Sequence, residues 1–125
     1  MESEPYFRPA VLVAVSSKPL REASRLALAS CGYEVMVTDD ARAAIAYLHE
    51  SAVPPDLVVV DTELPEVPPS VLADVAARRG ARCLPLASNR FVIGRPPTPD
   101  DGFDLSTLVV NVQESLGARA VFRAD

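Results

Sequence analysis

The chain has 125 residues, the size of one ordinary domain with a single continuous core, and a second domain does not fit. Its formal net charge is −5, and its 12 Lys and Arg form no stripe of the kind that phosphate backbones require, so DNA and RNA are not expected partners. The apolar runs are of strand length and the opening MESEPYFRPA has neither a basic start nor an apolar core, which predicts no membrane span, no signal peptide and a cytoplasmic location.

The residues before Arg8 read as a flexible lead-in to a buried strand, Val11 to Val15, that stops at Ser16. Ser17 is placed to cap a helix and Pro19 to open it. That helix is predicted over Pro19 to Cys31, with Leu20, Ala23, Ala27 and Ser30 on one face and Gly32 as its stop. YEVMV gives a second strand ending at Asp39 and Asp40, one of which caps a helix whose Ala41, Ala44, Ile45 and Leu48 recur at helical spacing. Pro54 and Pro55 close that unit.

Leu57 to Val60 is the third strand, and Asp61 stands at its end. After Pro68, Pro69 and Ser70, the positions Val71, Leu72, Val75 and Ala76 repeat with helical period up to Gly80. CLPLA is the fourth strand, and its Pro85 predicts a bulge or a poorly paired side because proline cannot donate to a ladder. Phe91 to Ile93 is a short fifth strand candidate, followed by turn-rich GRPPTPDDG. A last helix carries Leu105, Leu108, Val109, Val112 and Leu116 on one face and ends at Gly117. The two cysteines, Cys31 and Cys83, stand at no metal-ligand spacing and read as buried free thiols.

Strands and helices alternate throughout, which predicts an α/β fold: a doubly wound parallel five-stranded sheet in the flavodoxin-like order 2-1-3-4-5. Ligands and chemistry then belong at the carboxyl ends of the strands, the edge that holds Ser16, Ser17 and Asp61.

From Val11 to Leu116 the chain resembles the receiver domain of two-component response regulators, through VLVAVSSKPL, GYEV, DARAAIAYL and above all PDLVVVDTELP. The resemblance implies a CheY-like fold over residues 1–125, with a core of about 9–117 and a flexible C-terminal tail. In that family the aspartate ending the third strand takes a phosphoryl group from a histidine kinase. Asp61 matches it, and Leu64 and Pro65 follow as the family has them.

The family's acidic pair, which holds magnesium, falls on Ser16 and Ser17. Magnesium is a hard cation bound through carboxylates, phosphate oxygens and water, so no cofactor is expected here. The family's switch hydroxyl falls on Ala87 or Ser88, and its lysine before proline resembles Arg95 before Pro96. Only Asn89 to Gly94 separate Ser88 from Arg95. A mean helix of about 11 residues and a mean strand of about 5 cannot both fit there, so the fourth crossover helix is lost or truncated.

These residues together predict an atypical, phosphorylation-independent receiver domain that acts as a protein interaction module in bacterial signal transduction. It would meet a protein partner or a second copy through the face left uncovered by the missing helix, near Val110 and Phe91. One alternative is a working phosphoacceptor, served by a histidine kinase, in which Glu63 or Glu66 helps recruit magnesium to Asp61. Another is a small-ligand binder or enzyme that reuses the pocket around Ser16, Ser17 and Asp61. Against catalysis, no G-x-S-x-G elbow surrounds the serines, no Gly-rich phosphate cradle is present, and His49 reads as a solvated surface residue. Asp39 with Asp40, and Asp100 with Asp101, read as helix caps rather than metal ligands.

Overall fold

A computed structural model describes residues 9–65, 67–86 and 105–116. The elements run β1 (Ala10–Ala14), α1 (Lys18–Ser30), β2 (Glu34–Thr38), α2 (Ala41–Glu50), β3 (Leu57–Asp61), α3 (Pro69–Arg78), β4 (Arg82–Leu86) and α4 (Leu105–Leu116). Among the described residues the sheet has four strands, ordered β2-β1-β3-β4 and all parallel. The fifth strand predicted at Phe91–Ile93 and the lost or truncated helix before it lie outside the described residues.

Local chemistry starts α1 and α2 and stops α1 and α3. Ser17 Oγ accepts from Leu20 N at 3.3 Å and caps α1, as the sequence predicts, with Pro19 in the first turn. Asp40 caps α2 by accepting from Ala43 N at 2.6 Å. Helices α1 and α3 stop with the same paired bonds. In α1, Gly32 N donates to Ala29 O and Tyr33 N to Leu28 O; in α3, Gly80 N donates to Ala77 O and Ala81 N to Ala76 O. This geometry places one residue in the left-handed region, where a Cβ is strained, and glycine supplies it with φ of 96° at Gly32 and 80° at Gly80. In both motifs the residue after the glycine, Tyr33 or Ala81, is buried in the same cluster as its carbonyl partner.

The sheet separates two apolar clusters. Val11, Val13, Val15, Leu57 and Val59 face α1 and α4, where they meet Leu20, Leu28, Leu108, Val112 and Leu116. Leu12, Ala14, Val58 and Val60 face α2 and α3 and meet Ala44, Leu48, Leu72 and Ala76. The alternation follows from the two-residue period of a strand, and it explains why β1 and β3 read as unbroken apolar runs. Right-handed crossovers require this division: β1 to β2 runs one way along the sheet, and β2 to β3 to β4 runs the other.

Some expectations need correction. The buried ridge of α1 is Leu20, Ser24 and Leu28, spaced by four, instead of Leu20, Ala23, Ala27 and Ser30; Ala23 and Ala27 sit at its flank and Ser30 is exposed. Val71 is exposed while Leu72, Val75 and Ala76 are buried. Cys31 is exposed and Cys83 half-buried, so neither is a fully buried thiol. Cys31 caps the C-terminus of α1.

Pro85 makes no bulge, because β4 keeps an unbroken register against β3 from Leu57↔Arg82 to Asp61↔Leu86. Arg82 N donates to Asp56 O, and Leu86 O accepts from Thr62 N, so alternate residues 82, 84 and 86 direct their polar groups at β3. Pro85 therefore points its missing donor away from β3, and its lack of an N–H costs that ladder nothing.

Candidate functional site

The winding direction reverses between β1 and β3, and the crevice beyond their carboxyl ends is where open α/β sheets place ligands. Ser16 follows β1 there and Asp61 ends β3. Asp61 is fully buried and one of two buried polar residues among those described, the other being Ser24.

Both carboxylate oxygens of Asp61 have work. Oδ1 accepts from Glu63 N at 2.9 Å, a local turn in which the aspartate substitutes for a backbone acceptor. The same turn is closed by Leu64 N donating to Asp61 O at 3.1 Å, and Leu64 is buried against the α2/α3 cluster. Oδ2 reaches across to β1 and accepts from Ser16 N and Ser16 Oγ, both at 3.4 Å, near the outer limit of a hydrogen bond. The carboxylate thus ties the ends of β1 and β3 together.

Ser16 and Ser17, adjacent in the sequence, have different roles. Ser16 is exposed and bonds Asp61, whereas Ser17 Oγ is committed to the α1 cap. Ser88 and Arg95, the other predicted site residues, lie outside the described residues, as do Ala87, Glu66 and Phe91. His49 is exposed in the last turn of α2, which runs back from the carboxyl edge of the sheet, so it stands at the opposite end from Asp61 and joins no triad with the serines.

Arg21 was not anticipated from the sequence. From the first turn of α1 its Nη1 donates to Val15 O at 2.9 Å and to Ser16 O at 3.2 Å, gripping the end of β1 beside the Asp61 contact. The available signal was a cation four residues after the cap serine, in a first turn that holds no acid, where the helix dipole disfavours positive charge.

The donor set at this edge does not fit a magnesium ion. Ser16 donates its hydroxyl to Asp61, Ser17 spends its oxygen on an amide, and a guanidinium holds the nearby carbonyls. Among the described residues no group of three or more His, Cys, Asp or Glu could hold a metal. A hard divalent ion requires several oxygen ligands, and among the described residues that end a strand Asp61 is the carboxylate.

No family model and no curated protein matches the sequence. Solved structures match the fold. A signal receiver domain of an HD domain-containing protein from Pseudomonas fluorescens Pf-5 superposes with a TM-score of 0.66 at 17% identity, over 94% of this chain and 93% of its own. The HemR receiver domain from Leptospira biflexa gives 0.66 at 16%, over 94% and 99%. The chemotaxis response regulator CheY4 of Vibrio cholerae gives 0.63 at 16%, over 87% and 99%. The chain has the receiver-domain fold. No helix among the described residues is long and apolar enough to cross a membrane.

Proposed function

We propose that this chain is an atypical receiver domain of bacterial two-component signalling that works through protein contacts and does not depend on phosphorylation of Asp61. The observation that carries the reading is the state of Asp61. Its position matches the phosphoacceptor of the resembling family, yet its carboxylate is buried, with one oxygen closing its own turn and the other tying β3 to β1. An attacking carboxylate needs a free oxygen and a cation to neutralise the incoming phosphoryl charge. Ser16 and Ser17 provide a hydroxyl bond and a helix cap in place of the family's two acids.

On this reading the domain is not an enzyme, needs no cofactor, resides in the cytoplasm and meets a histidine kinase, another signalling protein or a second copy of itself. Val110, 48% exposed on α4, belongs to the contact face.

The test is intact mass and amide NMR of the purified chain with a small phosphodonor, and with magnesium and beryllofluoride, beside signalling by Asp61→Asn in cells. The expected result is no added phosphate, no beryllofluoride shifts at Ser16 or Glu63, and signalling by Asp61→Asn close to that of the parent. An added phosphate that Asp61→Asn abolishes, together with loss of signalling, would establish a working phosphoacceptor instead.

A further inference from the structure

Arg21 concentrates three contacts on the turn between β1 and α1. Its backbone N donates to Ser17 O at 2.8 Å, and its Nη1 donates to Val15 O and Ser16 O at 2.9 and 3.2 Å. Three successive carbonyls therefore accept from one residue. The first of them, Val15 C=O, belongs to the same peptide unit as Ser16 N–H, and that N–H donates to Asp61 Oδ2.

A guanidinium thus sits on the oxygen end of one peptide and a carboxylate on its hydrogen end. Hydrogen bonds in such a chain polarise one another, so the peptide links the two charges instead of insulating them. The guanidinium suits this role, because its Nη1 serves both carbonyls and the group stays charged at any physiological pH. Lys18 stands in the same first turn, and the positive end of the α1 dipole adds to both. The first turn of α1 brings no acid to this end of β1, and Glu22, in the next turn, pairs with Arg25.

We propose that Arg21 is the resident cation of the Asp61 site: a positioning residue that holds the Val15–Ser16 peptide against Asp61 and keeps divalent cations off this strand edge. The inference rests on the reading above only for the importance of Asp61. It goes further by assigning the exclusion of metal to a residue present, in addition to the two acids replaced by serine. Restoring a carboxylate at position 16 is then insufficient, since the new group lies within reach of Arg21 and pairs with it.

The experiment compares the full chain carrying Ser16→Asp with the chain carrying Ser16→Asp and Arg21→Ala. Each is titrated with magnesium, followed by the amide resonances of position 16 and Glu63. The double variant is expected to bind about tenfold more tightly, a usual size for coupling between neighbouring sites. Equal affinities, or no binding by either folded variant, overturn the proposal.

A second readout avoids the added carboxylate. Arg21→Gln is expected to move the Ser16 amide proton upfield, with Arg21→Lys restoring part of the shift. A change at Ser16 no larger than at Ala29, at the far end of α1, counts against a positioning role. Phosphate added to Asp61 of the parent would sink the proposed function while leaving both Arg21 comparisons to stand or fall on their own outcomes.

Discussion

Asp61 illustrates how one carboxylate changes role with its neighbours. Within an acidic cluster it would suffer like-charge repulsion, and its removal would relieve the fold. Here its neighbours are Ser16 donors and the Glu63 amide, so it contributes hydrogen bonds and closes a turn. Asp61→Ala is therefore expected to destabilise the domain by about 2 kcal/mol, the scale of lost bonds to a charged group, seen as a lower urea midpoint at unchanged slope. Asp61→Asn keeps one acceptor oxygen and should fall between the two. A rise in the midpoint for Asp61→Ala would show that repulsion dominates the site. Arginines serve a related end across the molecule: Arg21 binds the carbonyls closing β1, Arg79 Nη2 donates to Ser51 O at 2.6 Å where α2 ends, and Arg82 Nη1 donates to Ser115 O near the end of α4. Carbonyls at element ends have no partner in their own ladder, and a long cationic side chain reaches them from elsewhere in the fold.

At the scale of elements, α1 contains a conflict that the stability of a variant can expose. Its buried ridge includes Ser24, and the turn that follows buries Tyr33; among the described residues neither Ser24 Oγ nor Tyr33 Oη has a hydrogen-bond partner. Burial pushes the Tyr33 phenol above its ordinary value, and the charge of neighbouring Cys31 adds to the shift. Because the folded value is raised, the contribution of Tyr33 is intact below the unfolded phenol's value near pH ~10 and is lost as pH climbs through the folded one. Tyr33→Phe removes an unsatisfied buried hydroxyl, so it should stabilise the domain at neutral pH by about 1 kcal/mol and flatten the alkaline loss. Urea titrations at neutral and strongly alkaline pH would check both, and a destabilised Tyr33→Phe would mean that the hydroxyl is held after all. The same elements show what a sequence can and cannot reveal. Caps and glycine stops are local chemistry, so Ser17, Gly32 and Gly80 were legible where they stand, and Asp40 as one of the pair Asp39 and Asp40. The α1 ridge was misjudged because alanines and serines carry little apolar signal, and the packing surface of β1 and β3 chose Ser24 over Ala23. Asp61 was legible through its motif. Arg21 showed only as a cation in an acid-free first turn, since its acceptors are backbone carbonyls, which a sequence does not mark.

For the whole molecule, the sheet divides the interior into one cluster under α1 and α4 and another under α2 and α3, with Asp61 at the edge between β1 and β3. A rigid layer of this kind transmits little by continuous deformation, so if Asp61 is not phosphorylated, as proposed, the domain would present one surface at all times. That surface includes α4, whose stretch LSTLVVNVQESL carries a single charge, Glu114, with Val110 exposed outside its buried ridge. Val110→Glu should leave the urea midpoint within about 0.5 kcal/mol of the parent, as surface changes usually do. If the domain associates with a second copy through α4, the parent's sedimentation coefficient should rise with concentration and the same substitution should abolish that rise. Val53→Glu is the control, since Val53 is 79% exposed in the loop between α2 and β3, away from α4. Loss of association in both variants would indicate a general effect of added negative charge on a chain already at −5, and loss in neither would remove α4 from the interface. A selective loss at Val110 would join the two ends of the argument: the strand edge is held still by Ser16, Asp61 and Arg21, and the helix packed on the α1 side of the sheet offers partners an unchanging face.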